Sequence, residues 1–296
     1  MTVALFTVVV CTRDRAQHLP TTLDALEGQP QDFPILVVEQ SMQEDAALHQ
    51  RAASNGRLRV LRDTGQGLSR ARNLAWPQVE TEWVVFVDDD CVVDERWGAE
   101  LGAVLASRGD VDFVSGHVGL PGHAGPQQVP VTCFRVERER VRSGRWTRPW
   151  AIGFGVCMAV RRSAIERLGG WDERLGAGTS DFPAAEDMDF NFRLLRSGGA
   201  ALATPRVRAE HRQWRTRAEL PPLLAGYMAG WCGFAMKTLQ TTSVVAGLWL
   251  WGAALLDLGR TMVAVVRRRS RLHLTLVRHK LPAVARGTWR GLRRSW

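Results

Sequence analysis

Four short apolar runs constrain this chain most. VALFTVVVC (residues 3 to 11), ILVVEQS (Ile35 to Ser41), LRVLRD (Leu58 to Asp63) and WVVFVDDD (Trp83 to Asp90) are rich in β-branched residues. Each is bounded by turn residues or charge, which suits strands buried on both faces. Helical spacing fills the gaps: Leu19, Leu23 and Leu26 recur on one face, EDAALHQRAASNG stops at Gly56, and GLSRARNLAW offers Ser69 as an N-cap. The alternation predicts an α/β domain with a mostly parallel sheet and helices on both faces. Ligands of such sheets bind beyond the C-terminal strand ends, which here carry Thr12 to Arg15, Glu39 to Ser41 and Asp88 to Asp90.

The last of these ends is chemically unusual. Three carboxylates follow VVFV directly, and in extended chain Asp88 and Asp90 point to the same side. Carboxylates that close repel unless a cation lies between them. A solvated strand end explains a single Asp; three point to a divalent cation, Mg²⁺ or Mn²⁺, held by hard oxygen ligands. Two such ligands leave room for phosphate oxygens, so the expected ligand is a diphosphate. Arg13, Arg15, Arg70 and Arg72 lie near the same strand ends or helix starts. They are surface charges or partners of that diphosphate.

Further along, GFGVCMAV predicts a strand and RSAIERLG a helix, with residues 131 to 149 irregular between an earlier strand, VDFVSGHVGL, and this one. PGHAGPQQVP reads as a Pro/Gly loop. A turn-rich stretch then enters a helix at EDMDF, with Met188, Phe192 and Leu195 as its core stripe. Glu186 and Asp187 in its first turn either complement the helix dipole or act as a general base. His211, after the strand-like ALATPRVRAE, is structural or a third metal ligand.

With these residues in place, the chain resembles glycosyltransferase family 2 enzymes of the GT-A fold over residues 3 to 215. VVVCTRDR, ILVVEQS, GLSRARN, VVFVDDDC, GFGVCMAVRR, GGWDERLGAGTS, EDMDF and the His of AEHRQW follow one another in that family's order. The resemblance implies a metal-dependent, inverting transfer from a nucleotide-diphospho-sugar donor to an acceptor hydroxyl in glycan or polysaccharide synthesis. It implies that Thr12, Arg13 and Arg15 line the nucleotide pocket. Glu39 falls where the family carries an Asp that contacts the base. Arg72, Asn73 and Asp89 would sit by the nucleotide and diphosphate. Asp88, Asp90 and His211 would hold Mn²⁺ or Mg²⁺, with Asp90 the direct ligand. Asp187 would be the catalytic base with Glu186 beside it, and Trp171 and Asp172 would border the acceptor. Cys157 departs from the family's GxN pattern.

Charge divides the chain. Residues 205 to 296 carry 17 Lys and Arg against 3 Asp and Glu, while residues 1 to 204 are net acidic. The expected division is a domain over 1–217, with a nucleotide-sugar half to about 95 and an acceptor half beyond it, and a basic helical extension over 218–296. Val244 to Leu256 is an apolar run of 13 residues, short of the roughly 20 needed to span a bilayer. Two readings stand for residues 241 to 296: helices packing on the domain, or a helix lying in an anionic membrane interface. The second would place the protein peripherally on the inner face of the plasma membrane and favour a lipid-linked acceptor. The five scattered cysteines form no CxxC pair and fit a reducing, cytoplasmic setting, and MTVALFTVVVC lacks the basic start of a secretory signal.

Two rival functions are weaker. A nucleotidyltransferase predicts a Gly/Lys-rich phosphate loop after the first strand, and CTRDRAQHL has no Gly there. A basic nucleic-acid-binding protein explains the tail, but a DDD cluster repels a polyanion, so no nucleic acid is expected.

Overall fold

A computed structural model describes residues 4–120, 128–268 and 270–296. In chain order its strands are β1 (Phe6–Thr12), β2 (Ile35–Glu39), β3 (Leu58–Arg62), β4 (Trp83–Asp88), β5 (Cys91–Val93), β6 (Phe113–Gly119), β7 (Gln128–Pro130), β8 (Arg140–Ser143), β9 (Cys157–Arg161), β10 (Ala200–His211) and β11 (Trp214–Thr216). The helices are α1 (Leu19–Glu27), α2 (Ala46–Ser54), α3 (Leu68–Ala75), α4 (Trp97–Ser107), α5 (Arg162–Leu168), α6 (Glu186–Arg196), α7 (Leu220–Thr241), α8 (Val244–Arg268) and α9 (Arg271–Arg293). The chain divides into two compact units. One comprises residues 1–123, 130–171 and 187–213; the other comprises 124–129, 172–186 and 214–296. The stretch Asp172–Glu186, expected in the α/β domain, groups instead with the C-terminal helices.

The first unit is built on a sheet of order β3-β2-β1-β4-β9-β6-β10-β5, with β8 beside β10. The four leading apolar runs form the parallel half: β1 pairs in parallel with β2 and β4, and β2 with β3. The other half is mixed rather than parallel, because β9 runs antiparallel to both β4 and β6, and β5 and β8 run antiparallel to β10. The sheet is covered on both faces, as the alternation in β1 shows. Val8 and Val10 join a cluster with Leu23, Leu26 and Leu101, while Val9 joins one with Ala71, Ile165 and Phe190.

Three local expectations change. Residues 140–143 form β8, an exposed strand within a stretch expected to be irregular. Gly67, at φ +122°, rather than Ser69 stands at the α3 N-cap, and Ser69 is buried inside the helix. On α6 the buried apolar residues are Phe190, Phe192, Leu194 and Leu195, and Met188 is only half-buried. Most of the expected Pro/Gly loop lies outside the described residues.

In the second unit α7, α8 and α9 pack around Ala225, Met228, Cys232, Ala254, Leu258, Ala283 and Val284. Close approach of α9 to α7 depends on Gly287, where a Cβ would stand 2.5 Å from the Ala229 carbonyl oxygen. The α8 helix is longer than the 13-residue apolar run, because it continues through Asp257 and Arg260. By length and composition it is the one helix among the described residues able to cross a membrane.

Candidate functional site

The parallel pairing of β1, β2 and β4 brings their C-terminal ends to one sheet edge. The strand β4 stops at Asp88, and Asp89 and Asp90 form a turn into β5. The carboxylates are therefore placed by a turn and not by strand alternation. Asp88 stays partly exposed, while Asp89 and Asp90 are buried.

Each buried carboxylate has its own partners. Thr12 Oγ1 donates to Asp89 Oδ2 at 2.7 Å. The Arg15 guanidinium forks across the pair, with Nη1 2.9 Å from Asp89 Oδ1 and Nη2 2.6 Å from Asp90 Oδ2. Arg15 and Thr12 thus organise the acid cluster, and Asp89 is engaged with them rather than presented to a nucleotide. Burial pushes the Asp89 carboxyl up to about 7 against the pull of Arg15 and Thr12. Burial also raises Asp88, opposed by the charges of His211 and Arg72. Asp90 goes the other way: burial would raise it, but His211 and Arg15 hold it at about 2.

His211 reaches Asp90 through sheet register. It ends β10 opposite Cys91 of β5, and the Arg212 N–H donates to the Asp90 carbonyl at 2.8 Å. His211 Nε2 then lies 3.1 Å from Asp90 Oδ1. On the far side of the ring Nδ1 is 3.1 Å from the Thr132 carbonyl oxygen, which can only accept. In a neutral ring this leaves Nε2 as a lone pair facing a carboxylate oxygen. Two acceptors at that distance require a proton or a metal ion between them, and without a metal the Asp90 charge raises the His211 pKa against the effect of burial.

A divalent cation fits this donor set. Ligand bonds of about 2.1 Å at right angles separate their donor atoms by about 3 Å, close to the Asp90–His211 spacing. Ligand atoms of Asp90, Cys91 and His211 all lie within 4.8 Å of one another. Burial holds the Cys91 thiol well above its ordinary range, and it lies 3.7 Å from the Val156 carbonyl oxygen. A protonated thiol leaves carboxylate and imidazole as the effective donors, which suits Mn²⁺ or Mg²⁺.

Asp187 opens α6. Its Oδ1 accepts from the Met188 N–H at 2.7 Å and its Oδ2 from the Gly155 N–H at 3.2 Å. The helix N-terminus and Gly155 orient a half-buried carboxylate that keeps lone pairs for a further proton. Glu186 is buried and does not share that accessibility.

Several expected site residues have other duties. Arg72 lies in the last turn of α3, only 1% exposed, where its Nη2 donates to the Gly155 carbonyl and its guanidinium lies over Phe86 and Trp171. It is a buried cation behind Asp88, not a helix-start arginine open to a diphosphate. The Asn73 amide exchanges two 2.8 Å hydrogen bonds with the Trp171 backbone. Trp171 is 3% exposed, stacked on Phe190 at 4.4 Å, and so belongs to the core rather than an acceptor rim. In the second unit Asp172 is clamped by Arg174 and by Lys237 at 2.8 Å. Burial would raise its carboxyl, but these cations hold it well below the usual range. Glu39 is fully buried and accepts from the Asp45 N–H, with Arg62 as its ion-pair partner and His49 Nε2 3.3 Å from its Oε2. It shapes the start of α2 and presents no open edge to a base. Arg13 donates to Gln66 at 2.6 Å, in the loop before α3.

Sequence reasoning gave no role to Gly155 or Thr132, and took Asp14 only as part of the strand end from Thr12 to Arg15. Asp14, at φ +54°, links the loop after β1 to the loop after β2 through Ser41 and the Met42 N–H. A positive φ in a non-glycine residue within CTRDR leaves no compositional signal.

A family model described as "Glycosyl transferase family 2" matches residues 7–169. An O-antigen biosynthesis protein, RfbC, of Myxococcus xanthus is 27% identical over 234 residues, covering 71% of this chain and 17% of that protein. An uncharacterized glycosyltransferase of Haemophilus influenzae is 22% identical over 200 residues, covering 65% and 62% respectively. The chain thus spans less than two thirds of either relative. Among solved structures, the mannosyltransferase PcManGT of Pyrobaculum calidifontis, in complex with GDP-Man and Mn²⁺, matches with TM-score 0.64. Identity is 17%, and coverage is 98% of this chain and 87% of that one. S. aureus TarS in complex with UDP-GlcNAc matches with TM-score 0.59 at 15% identity over 97% and 92%. These likenesses agree with the GT-A architecture that the sheet displays. With the family model covering more than half its length, the chain belongs to glycosyltransferase family 2.

Proposed function

We propose that this chain transfers a glycosyl group from a nucleoside diphospho-sugar to an acceptor hydroxyl, with a divalent metal at Asp90 and His211 and with inversion at the anomeric carbon. The observation that carries this reading is the Asp90–His211 pair, with its ring orientation fixed by Thr132, at the sheet edge where Asp88 remains open. Asp88, partly exposed beside this pair, would supply a further oxygen to an ion held there. When bound there, the ion contributes Lewis-acid charge for the diphosphate oxygens. Arg15 and Arg72 supply fixed positive charge around the acid cluster, and Arg15 keeps Asp89 and Asp90 in place. PcManGT, solved with GDP-Man and Mn²⁺, and TarS, solved with UDP-GlcNAc, support the donor class.

Asp187 is the base in this scheme. One of its oxygens takes the acceptor hydroxyl proton while the acceptor oxygen bonds to the anomeric carbon. The bond from that carbon to the diphosphate breaks, and the nucleoside diphosphate leaves. A single displacement through an oxocarbenium-like state inverts the centre. The Gly155 N–H fixes the carboxylate, and the Arg72 bond to the Gly155 carbonyl fixes Gly155. Likeness to an O-antigen biosynthesis protein supports an acceptor in polysaccharide assembly. Five unpaired cysteines support a reducing, cytoplasmic setting.

A thermal-shift screen of nucleoside diphospho-sugars with Mn²⁺ and with EDTA tests the reading. One donor should raise the melting temperature with Mn²⁺ and lose that effect in EDTA. The proposal fails if every donor behaves identically in both.

A further inference from the structure

The C-terminal helices expose a long apolar face that is hemmed by arginine. On α8, Val244, Val245, Leu248, Leu256, Met262, Val263 and Val266 are each between 49% and 78% exposed. With Gly252, Leu255 and Gly259 they fill one side of the helix at three- and four-residue steps, over about 33 Å from Val244 to Val266. Arg260 and Arg267 are exposed along one margin of this stripe. The only carboxylate on α8, Asp257, pairs with Lys280 of α9 at 2.7 Å.

The face continues onto α9. Leu274 and Leu281 are exposed and stand seven residues apart. Thr288 extends that row and accepts from Trp251 Nε1 of α8 at 3.0 Å, so the row runs along the flank of α9 that meets α8. Arg271, Arg278, Arg286 and Arg290 are exposed on α9, and Arg293 covers the exposed Trp289 ring at 4.3 Å. No acidic residue occurs between Arg271 and Trp296.

We propose that α8 and α9 form a docking face for an anionic phospholipid bilayer and lie in its interface rather than crossing it. Continuous apolar surface bordered by cations, with no free carboxylate on either helix, complements a bilayer with anionic headgroups. The orientation follows from the helix pairing. Contacts at Trp251–Thr288 and Asp257–Lys280 place α9 alongside α8. If α8 crossed, this pairing would carry the arginines of α9 into hydrocarbon. Lying flat, the leucines and valines enter the acyl boundary while the arginines remain at headgroup depth.

Flotation of the full chain with vesicles tests this. One vesicle type is pure phosphatidylcholine and the other contains 30% phosphatidylglycerol. The chain should float with the anionic vesicles, at least tenfold less with neutral ones, and be stripped by carbonate at pH 11. L256D/V263D, at exposed positions, should lose binding at least tenfold with an unchanged melting temperature. R278E/R286E should lose it on anionic vesicles while leaving apolar exposure intact. Absence of flotation, equal flotation of wild type and both variants, or resistance to carbonate would each overturn the proposal. So would a dimer of the free chain that L256D/V263D dissolves, since a second copy would then occupy the face.

Discussion

The carboxylates in the turn after β4 and the Asp187 carboxylate in the first turn of α6 are the same chemical group in opposite settings. Asp89 and Asp90 are buried, forked by Arg15 and fixed by Thr12 and His211. Asp187 is half-buried, held by two backbone N–H groups, and keeps acceptor capacity. Carboxylates engaged by fixed cations suit static charge and a metal ion, whereas one held only by backbone N–H groups suits proton transfer. In the proposed scheme this contrast would divide the labour between leaving group and nucleophile.

The largest expected effect breaks one side of this contrast alone. Asp187→Asn should lower turnover by roughly 10²- to 10⁴-fold with donor affinity unchanged. Initial rates and donor titration check it, and wild-type turnover would remove Asp187 from the chemistry. Next, Asp90→Ala should abolish the Mn²⁺-dependent part of donor affinity, so that titrations with and without EDTA coincide. A donor affinity still enhanced by Mn²⁺ would place the metal elsewhere.

Gly155→Ala sharpens the comparison, because a Cβ there would lie 2.4 Å from Arg72 Nη2. Overpacking a buried guanidinium should cost about 1–3 kcal/mol in denaturant unfolding. It should also lower turnover more than Mn²⁺ affinity. Equal loss of both would make the two sites one mechanical unit. The smallest effect concerns Asp63, which Arg70 hydrogen bonds, with help from Gln40 and Gly65, hold at about 2 against burial. A carboxyl depressed in the folded state contributes stability above its unfolded pKa near 3.8 and loses it as pH falls toward 2. Asp63→Asn should therefore be less stable than wild type at pH 6, by at most about 2 kcal/mol before screening at the exposed Arg70. That gap should close on acidification, and a gap independent of pH would point to packing instead.

Much of this architecture can be read directly in the sequence. The β-branched runs specify β1 to β4, and the three Asp after VVFV mark the sheet edge. Short strands are harder: β5 is only three apolar residues long, and β8 is four mostly polar, exposed ones. Their identity comes from pairing with β10, over 50 residues away. The same distance hides site partners. Arg15 meets Asp89 and Asp90 across 74 and 75 positions, and Asn73 meets Trp171 across 98. Family motifs locate such residues near a site without saying which touch a ligand and which hold the frame. The α8 helix teaches a related point. Counting uninterrupted apolar residues stops at Asp257, whereas a helix passes through a charged residue, and Lys280, 23 positions later, pairs with this one.

Manganese binding tests the central assignment most directly. Electron paramagnetic resonance of the full chain with Mn²⁺ and a nucleoside diphosphate should show one bound ion per chain in wild type. In His211→Ala, with melting temperature monitored, that signal should weaken by at least about tenfold. Undiminished Mn²⁺ binding in a folded His211→Ala variant would contradict the assignment of Asp90 and His211 as the metal site.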